Sequence, residues 1–359
     1  MTYDFLIIGG GIAGISAAAR LSHLGPVTVL EAEDHLAHHA SGRSAALFEP
    51  NYGLAPVVAL SLASEEHHRH ANGGVLSPRG MLLVASADEG EAFAADRDAL
   101  GLHDISVAEA QALVPIVDPE KVARAAHAAH AWDIDTDLLI QNFAREARAN
   151  GGRIVTRARV TGIARDGSLW RATTAAGDHE GRILVNAAGA WVDEVAAMAG
   201  VAPLGFTPLR RSMARIPAPG GHDPARWPIM MGAGETWYAK PDAGALIVSP
   251  AEEDPSHPHD AWAYDMVLAE GLARYEAMVT EPVTRLIASW AGLRTFAPDR
   301  VLVIGPDPAV PSFFWLAGQG GYGFQTAPAA SRLAADLLGG APPGIEAATV
   351  AALSPSRFA

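Results

Sequence analysis

The sequence contains no cysteine. That excludes disulfides, iron–sulfur clusters, thiolate zinc sites and cysteine nucleophiles. No uncharged apolar stretch reaches the ~18 residues of a membrane span, so no span is expected. Positive charge is also short: Lys plus Arg number 26 against 40 Asp plus Glu, a net charge of −14. Such a surface repels polyanions, which argues against DNA or RNA as a partner. The N-terminus lacks the basic segment of a secretory leader, carries Asp4 before its apolar run and breaks that run with Gly9, Gly10 and Gly11. Cytoplasm is therefore the expected location. Histidine is plentiful, at 14 residues, and several cluster: His35, His38, His39; His67, His68, His70; His127, His130; His257, His259. None has the spacing of a metal motif such as H-E-x-x-H, so they read as surface residues and no metal is expected.

What is present is 359 residues with 49% apolar content, enough for a large core and one or two domains. "YDFLIIGG" is a short apolar run suited to a strand buried on both faces. "IAGISAAARLSHLG" has helical character and stops at Gly25, and "PVTVLEAE" is a second strand. A strand–helix–strand unit of about 30 residues is the context that a glycine fingerprint requires. Gly9 permits a tight turn, Gly11 lets a pyrophosphate approach the backbone, and Gly14 lets the helix pack close to the strand. The helix N-terminus offers free N–H groups to phosphates. Glu31 closes the second strand, placed to accept from a ribose with a free 2′-hydroxyl and to repel a 2′-phosphate. This points to FAD or NAD and away from NADP.

Three later stretches matter. "ASGRSAALFEPNYG" contains a small polar turn, Gly42, Arg43, Ser44 and Ala45, suited to a flat ring. "ILVNAAGAWVDEVAAMAG" reads as a buried strand ending at Asn186 and leading into a helix. "FFWLAGQGGYGFQTAPAASRLAADLL" reads as a strand, a turn through Gly318, Gly320, Gly321 and Gly323, and a long helix. "DIDTDLLIQNFAREARANGG" is a helix capped by Asp135 or Asp137, and "GGRIVTRARVTGIARDG" reads as a strand pair.

Taken in order, "GRSAA", "LSPR", "DIDTD", "VNAAGAW", "RRS", "WPIM", "YAKPDAG", "SPA", "WAGLR" and "QGGYGFQT" resemble the FAD-dependent D-amino acid oxidase/dehydrogenase superfamily, which includes glycine and sarcosine oxidases. Within it the chain is most similar to the bacterial D-arginine dehydrogenases, almost end to end. The resemblance implies an α/β fold: a Rossmann-like FAD-binding domain with an inserted α+β substrate domain on a mixed or antiparallel sheet. The expected division is 1–75, 138–205 and 286–359 for the first, 76–137 and 206–285 for the second. FAD is expected to be held non-covalently. No cysteine is present to tether it; His35, His38 and His39 are candidates for the covalent link that some distant relatives make, but the closer ones hold FAD without a bond.

The expected cofactor contacts are Gly9, Gly11, Ile12, Ala13 and Gly14 in the opening turn, Glu31 and Ala32 after the second strand, and Gly42, Arg43, Ser44 and Ala45. Further along come Val160, Ala188, Gly189, Trp191, Gly292 and Arg294, then Gly320, Gly321, Tyr322, Gly323, Phe324 and Gln325. The reaction implied is oxidative deamination of a D-amino acid: hydride passes from Cα to the flavin, and the imino acid is hydrolysed to a 2-oxo acid. Arg294, inside the apolar run "SWAGLRTF", suits a carboxylate clamp, because guanidinium is a bidentate fork and an unpaired buried charge is costly. The resemblance adds Tyr238 as a second carboxylate contact, Arg211 as a further active-site arginine and Tyr52 as a lid. It also places Gly321 and Gln325 at the flavin edge and the substrate amine. Strand alternation sends Arg210 to the face opposite Arg211. No general base is evident.

Two positions depart from the relatives. Leu47 stands where they carry a histidine, and Met81 where they carry a glutamate that recognises a cationic side chain. The expectation is a preference for apolar, aromatic or cyclic D-amino acids, with Glu49 partly restoring a cation site. The electron acceptor is expected to be a quinone or dye-like molecule, or oxygen, with dehydrogenase favoured over oxidase. A sarcosine- or glycine-type oxidase and a flavin-binding subunit of a hetero-oligomeric dehydrogenase are the alternatives.

Overall fold

Thr2–Ile8 lies at the centre of an eight-stranded sheet, between Val27–Leu30 and Gly177–Asn186 and parallel to both. The computed structural model describes residues 2–359. Arg153–Val155 extends the parallel array beyond Val27–Leu30, and Phe313–Ala317 joins it against Leu184–Asn186. The continuous apolar run of the first strand follows from burial on both faces. Ile7 packs with Ile15, Phe143 and Leu333 from helices Ile12–Leu21, Thr136–Ala149 and Gly323–Gly339. Leu6 and Ile8 point the other way, into a cluster with Trp170, Val195 and Trp315.

The expected helix after "DID" is Thr136–Ala149, capped by Asp135, whose carboxylate accepts from the Leu138 N–H. The expected strand pair differs from the structure. Arg153–Val155 and Val160–Asp166 are both strands, but they stand on opposite edges of the sheet. Period-2 patterning specifies a strand and says nothing of its partner, and Arg157, with φ +54, turns the chain between them.

A second, nine-stranded sheet is mixed. Its strands include Met81–Ala85, Arg124–Ala128, Thr207–Pro217, Ile229–Gly232, Tyr238–Asp242 and Ala245–Ser249. Ala288–Phe296 belongs here too, although its place in the 286–359 block led us to expect it with the nucleotide-binding portion. It pairs antiparallel with Thr207–Pro217 from Thr207↔Phe296 to Arg215↔Ala288. A small third sheet of Leu47–Phe48, Trp132–Ile134 and Leu76–Pro78 bridges the two.

One buried cation fastens the second sheet to the turn that precedes Leu47. Lys240 Nζ donates to the Ala45 carbonyl at 2.7 Å and lies 2.8 Å from Asp133 Oδ1. Burial lowers the Lys240 pKa while Asp133 acts to hold its charge. The turn it grips is strained, with Ala46 at φ +58.

Candidate active site

The first strand delivers its backbone into a turn where each glycine has its own reason. Gly9 sits at φ +109, and a Cβ there would lie 2.3 Å from the Ala187 carbonyl oxygen. A Cβ on Gly14 would lie 1.9 Å from the Gly9 oxygen, so helix and strand touch backbone to backbone. Gly11 is different: its Cβ would meet only Ser41 Oγ, at 3.1 Å. The space in front of Gly11 is a cradle that the protein leaves open. Helix Ile12–Leu21 takes no side-chain cap from Gly11, and its Ile12 N–H donates to Ser41 Oγ at 3.0 Å. The N-terminal dipole end therefore faces a polar, anion-compatible space. Glu31 is buried beside it, accepting from the Gly10 N–H at 2.6 Å and the Glu33 N–H at 2.8 Å.

From this turn a cleft runs in two directions, sharing Gly11, Ser41, Arg43 and Gly189. Gly9, Glu31, Ala32, Val160, Ala188 and Trp191 line the end beside the second strand. Ile12, Ala13, Ser44, Ala45 and Gly292, with Gly320, Gly321, Gly323, Phe324 and Gln325, line the other. Arg43 is held in place by the Ala261 and Ala291 carbonyls, at 2.8 and 2.9 Å, and by Asp260. A long nucleotide fits this cleft, with its phosphates at the open helix end.

Three expected contacts do not reach the cleft. Gly14 is a packing glycine. Gly42 faces Ala37, whose carbonyl oxygen would lie 2.3 Å from its Cβ. Tyr322 turns inward, its ring 5.3 Å from that of Tyr52 and 6.2 Å from that of Phe296. The histidines also correct the sequence reading. His68 is fully buried, with Nε2 3.1 Å from the Gln325 carbonyl oxygen, and His38 and His39 line the cleft.

The far end of the cleft is built from side chains. Arg211 and Arg294 share one face of adjacent strands, through the pairs Arg211↔Gly292 and Leu209↔Arg294. Arg210 points the opposite way, its guanidinium 3.6 Å over the Tyr264 ring. Arg211 reaches Glu235 Oε1 at 3.3 Å and Glu253 Oε1 at 3.4 Å. Arg294 Nη1 is buried and has no hydrogen-bond partner among the described residues. Burial opposes its charge, but Tyr52, Tyr238 and Glu235 more than offset that and hold the guanidinium above its ordinary pKa. Gly321 makes room for it, since a Cβ there would stand 3.0 Å from Nη1.

Tyr52 donates its hydroxyl to Glu235 Oε1 at 2.7 Å. Burial, then the Glu235 charge, raise the phenol well above its usual range, so it remains a donor. Tyr238 is buried in the cavity wall. Gln325 donates to the Tyr52 carbonyl at 3.3 Å and accepts from the Glu49 N–H at 3.4 Å. Leu47 and Met81 form an apolar wall that Met213, Ile229 and Met231 complete. Glu49 lines the same cavity at 2% exposure, and burial pushes its carboxyl up to about 7, against the Asn51 N–H it accepts.

Sequence reasoning missed Ser41, Glu235, Met213, Ile229 and Met231. Glu235 stands three residues before Tyr238, just outside the β-rich run that drew attention. Ser41 had a signal as a small polar residue after the second strand. The methionines carry none, because a cavity-facing methionine reads as core.

Residues 4–337 match the family model described as DAO, FAD dependent oxidoreductase. The chain is 27% identical to FAD-dependent oxidoreductase domain-containing protein 1 of Bos taurus, covering 93% of this chain and 81% of that protein. It is 25% identical to the glycine oxidase of Pseudomonas putida, covering 98% of both. In fold it is similar to the L-proline dehydrogenase of P. horikoshii, with a TM-score of 0.84, 21% identity, and 99% and 98% of the two chains covered.

Proposed function

Since the chain belongs to the DAO family of FAD dependent oxidoreductases, we propose that it oxidises the Cα–N bond of amino acids, with D-amino acids bearing apolar, aromatic or cyclic side chains as its preferred substrates. One observation carries this reading: a buried guanidinium, Arg294, with an unpartnered Nη1, lines a cavity that also carries an apolar wall. Tyr52, Tyr238 and Glu235 sustain the charge but leave Nη1 without an acceptor, and a substrate carboxylate supplies one.

FAD, when bound, supplies the hydride acceptor. The protein's own groups do the rest. The Gly9–Gly11 turn and the open end of helix Ile12–Leu21 hold the pyrophosphate, and Glu31 holds a ribose. Arg294 and Tyr238 hold the substrate carboxylate, with Arg211 behind them. Tyr52, latched to Glu235, closes the cavity and excludes water from the imino acid. Gln325 orients the amine.

The apolar wall sets the side-chain preference. Leu47 and Met81 offer no partner to a cation. Glu49, raised to about 7, is a weakened counter-ion at neutral pH. Leaving a guanidinium or ammonium unpaired here costs several kcal/mol, on the order of a thousandfold in selectivity. The D hand rests on the sequence resemblance to D-arginine dehydrogenases. The similarity to a glycine oxidase and an L-proline dehydrogenase favours a second reading, a secondary-amine or glycine substrate held by the same clamp. The test is anaerobic bleaching of the flavin by D-leucine, D-phenylalanine, D-proline, L-proline, sarcosine, glycine and D-arginine, followed by exposure to air. D-leucine, D-phenylalanine or D-proline leading the series is the expected result, and D-arginine leading overturns it. Rapid return of colour in air would mark an oxidase, and slow return the expected dehydrogenase using a quinone or dye-like acceptor.

A further inference from the structure

We propose that Glu49 and His130 form a proton relay that takes the proton from the substrate's ammonium group and passes it to solvent. The relay rests on the amino-acid reading above, and it supplies the base that the sequence did not reveal.

The geometry has three parts. Glu49 is buried in the cavity wall, and only one of its carboxylate oxygens is engaged: Oε1 accepts from the Asn51 N–H at 3.0 Å. Oε2 is buried without a hydrogen-bond partner among the described residues. An acceptor left bare inside a cavity is poised for a donor that arrives with the ligand. Behind Glu49 stands His130, its Nε2 3.3 Å from Oε2 and its side chain 32% exposed. The pair therefore spans from the cavity to the surface.

The surroundings of His130 Nε2 suit a shuttle. Leu100 carbonyl oxygen lies 3.0 Å away and Asn51 Nδ2 3.4 Å away. With Nε2 protonated, the ring donates to the Leu100 carbonyl. With Nε2 bare, it accepts from Asn51 and from a protonated Glu49. Nε2 finds a partner in either tautomer, so it can take up and release a proton in place.

The step balances. An N–H bond of the substrate ammonium breaks and an O–H bond forms at Glu49 Oε2, leaving a neutral amine. The Glu49 proton then moves to His130 Nε2, and the imidazolium releases the proton on Nδ1 to water. The neutral amine carries the lone pair needed for hydride loss from Cα. Groups facing Glu49 are His130 and Asn51 on its outer side and the Gln325 amide beside it. Arg211, Arg294, Glu235 and Tyr52 line the same cavity, and the Tyr52 N–H donates to the Glu49 carbonyl at 3.1 Å. A carboxyl titrating near 7 matches the working range of a base at neutral pH.

The test uses the flavin-loaded enzyme and the variants Glu49→Gln and His130→Gln. The first measurement needs no turnover. 2-Aminoisobutyrate has an ammonium and a carboxylate but no Cα hydrogen, so it binds without being oxidised. Its binding at about pH 9, where the unliganded Glu49 carboxyl is ionised, is expected to raise the infrared C=O stretch of a protonated carboxyl in the wild type and in His130→Gln, and not in Glu49→Gln. The second measurement is the pH dependence of anaerobic flavin reduction by the best amino acid of the panel. The wild type should lose rate on the acid side with an apparent pKa near 7. Glu49→Gln should fall about a hundredfold at neutral pH, with its limb moved to the amine's own ionisation. His130→Gln should keep the band and slow by about tenfold. A wild type without the band, or a Glu49→Gln variant with the wild-type pH profile, overturns the relay. Should Glu49→Gln fail to fold, a His130→Gln variant reducing at the wild-type rate overturns it equally. If the band appears but no amine bleaches the flavin, the oxidation reading fails and the assignment of Glu49 as a proton acceptor stands.

Discussion

The two ends of the cleft are built on opposite plans. The nucleotide end is made of backbone: glycines, an open helix terminus and one carboxylate that accepts from Gly10 and Glu33. These groups fall within the first 33 residues, and the walls around them come largely from 37–43, 158–160 and 187–198. The substrate end is made of side chains brought from the loop before Ala55, from five strands of the second sheet and from the start of a helix near the C-terminus. The first end presents shape and dipole. The second presents paired and unpaired charge in an apolar box. Backbone sites tolerate no added carbon, while side-chain sites tolerate substitution and lose chemistry.

The sharpest challenge to that contrast lies within the glycine turn. Gly14→Val is expected to prevent folding into a flavin-binding form, because Cβ would sit 1.9 Å from the Gly9 oxygen, a backbone atom that cannot swing aside. Gly11→Ala should fold normally, since only the rotatable Ser41 hydroxyl is in the way, yet lose flavin on dialysis. Melting curves and retained flavin absorbance separate the two, and equal behaviour would mean the open space at Gly11 is not a ligand cradle.

At the other end, Arg294→Lys should keep its flavin and lose about 10³-fold in the rate of reduction over KM. Arg211→Lys should lose less, because Glu235 and Glu253 already share its charge. A reversed order would move the carboxylate clamp to Arg211.

A third prediction concerns the support behind the cavity. Burial holds His68 near 4 in the folded chain, below its ordinary 6.5. The unfolded chain therefore binds the extra proton first as the pH falls. Stability should be level above 6.5 and decline between 6.5 and 4, by about 3 kcal/mol for a group this buried. His68→Phe should flatten that decline in pH-dependent denaturant melts. The smallest effect belongs to the latch: Tyr52→Phe removes a bond to a charged acceptor and should raise KM about tenfold in reduction kinetics while leaving flavin content unchanged.

Legibility in the sequence follows the same division. Strand, turn, helix and acid at the N-terminus are contiguous, so spacing alone indicated the cradle. Arg294 stood out because a guanidinium inside "SWAGLRTF" needs a reason to be there. Tyr238, Arg211, Tyr52 and Gln325 were legible only through family resemblance, since nothing local separates a cavity tyrosine from a core one. Glu235, Met213, Ile229 and Met231 escaped even that: Glu235 sits in the short helical turn Ala233–Glu235, and the other three reach the cavity through strands whose neighbours are set by tertiary pairing. Ala288–Phe296 escaped for the same reason: its pattern specified a strand, and its long register with Thr207–Pro217 had no local signature. His68 shows the converse, a cluster of polar letters that buries one member completely.

Lys240 bears on whether such proteins can be assembled from interchangeable parts. Its ammonium group belongs to one sheet, yet the carbonyls it satisfies belong to the Ala45–Ala46 turn. A chimera that borrows the nucleotide half from this chain and the remainder from a cousin inherits a kinked turn with a bare Ala45 carbonyl unless the donor brings its own cation, together with a counterpart of Asp133 to keep that cation charged. The unit available for exchange is therefore the whole chain.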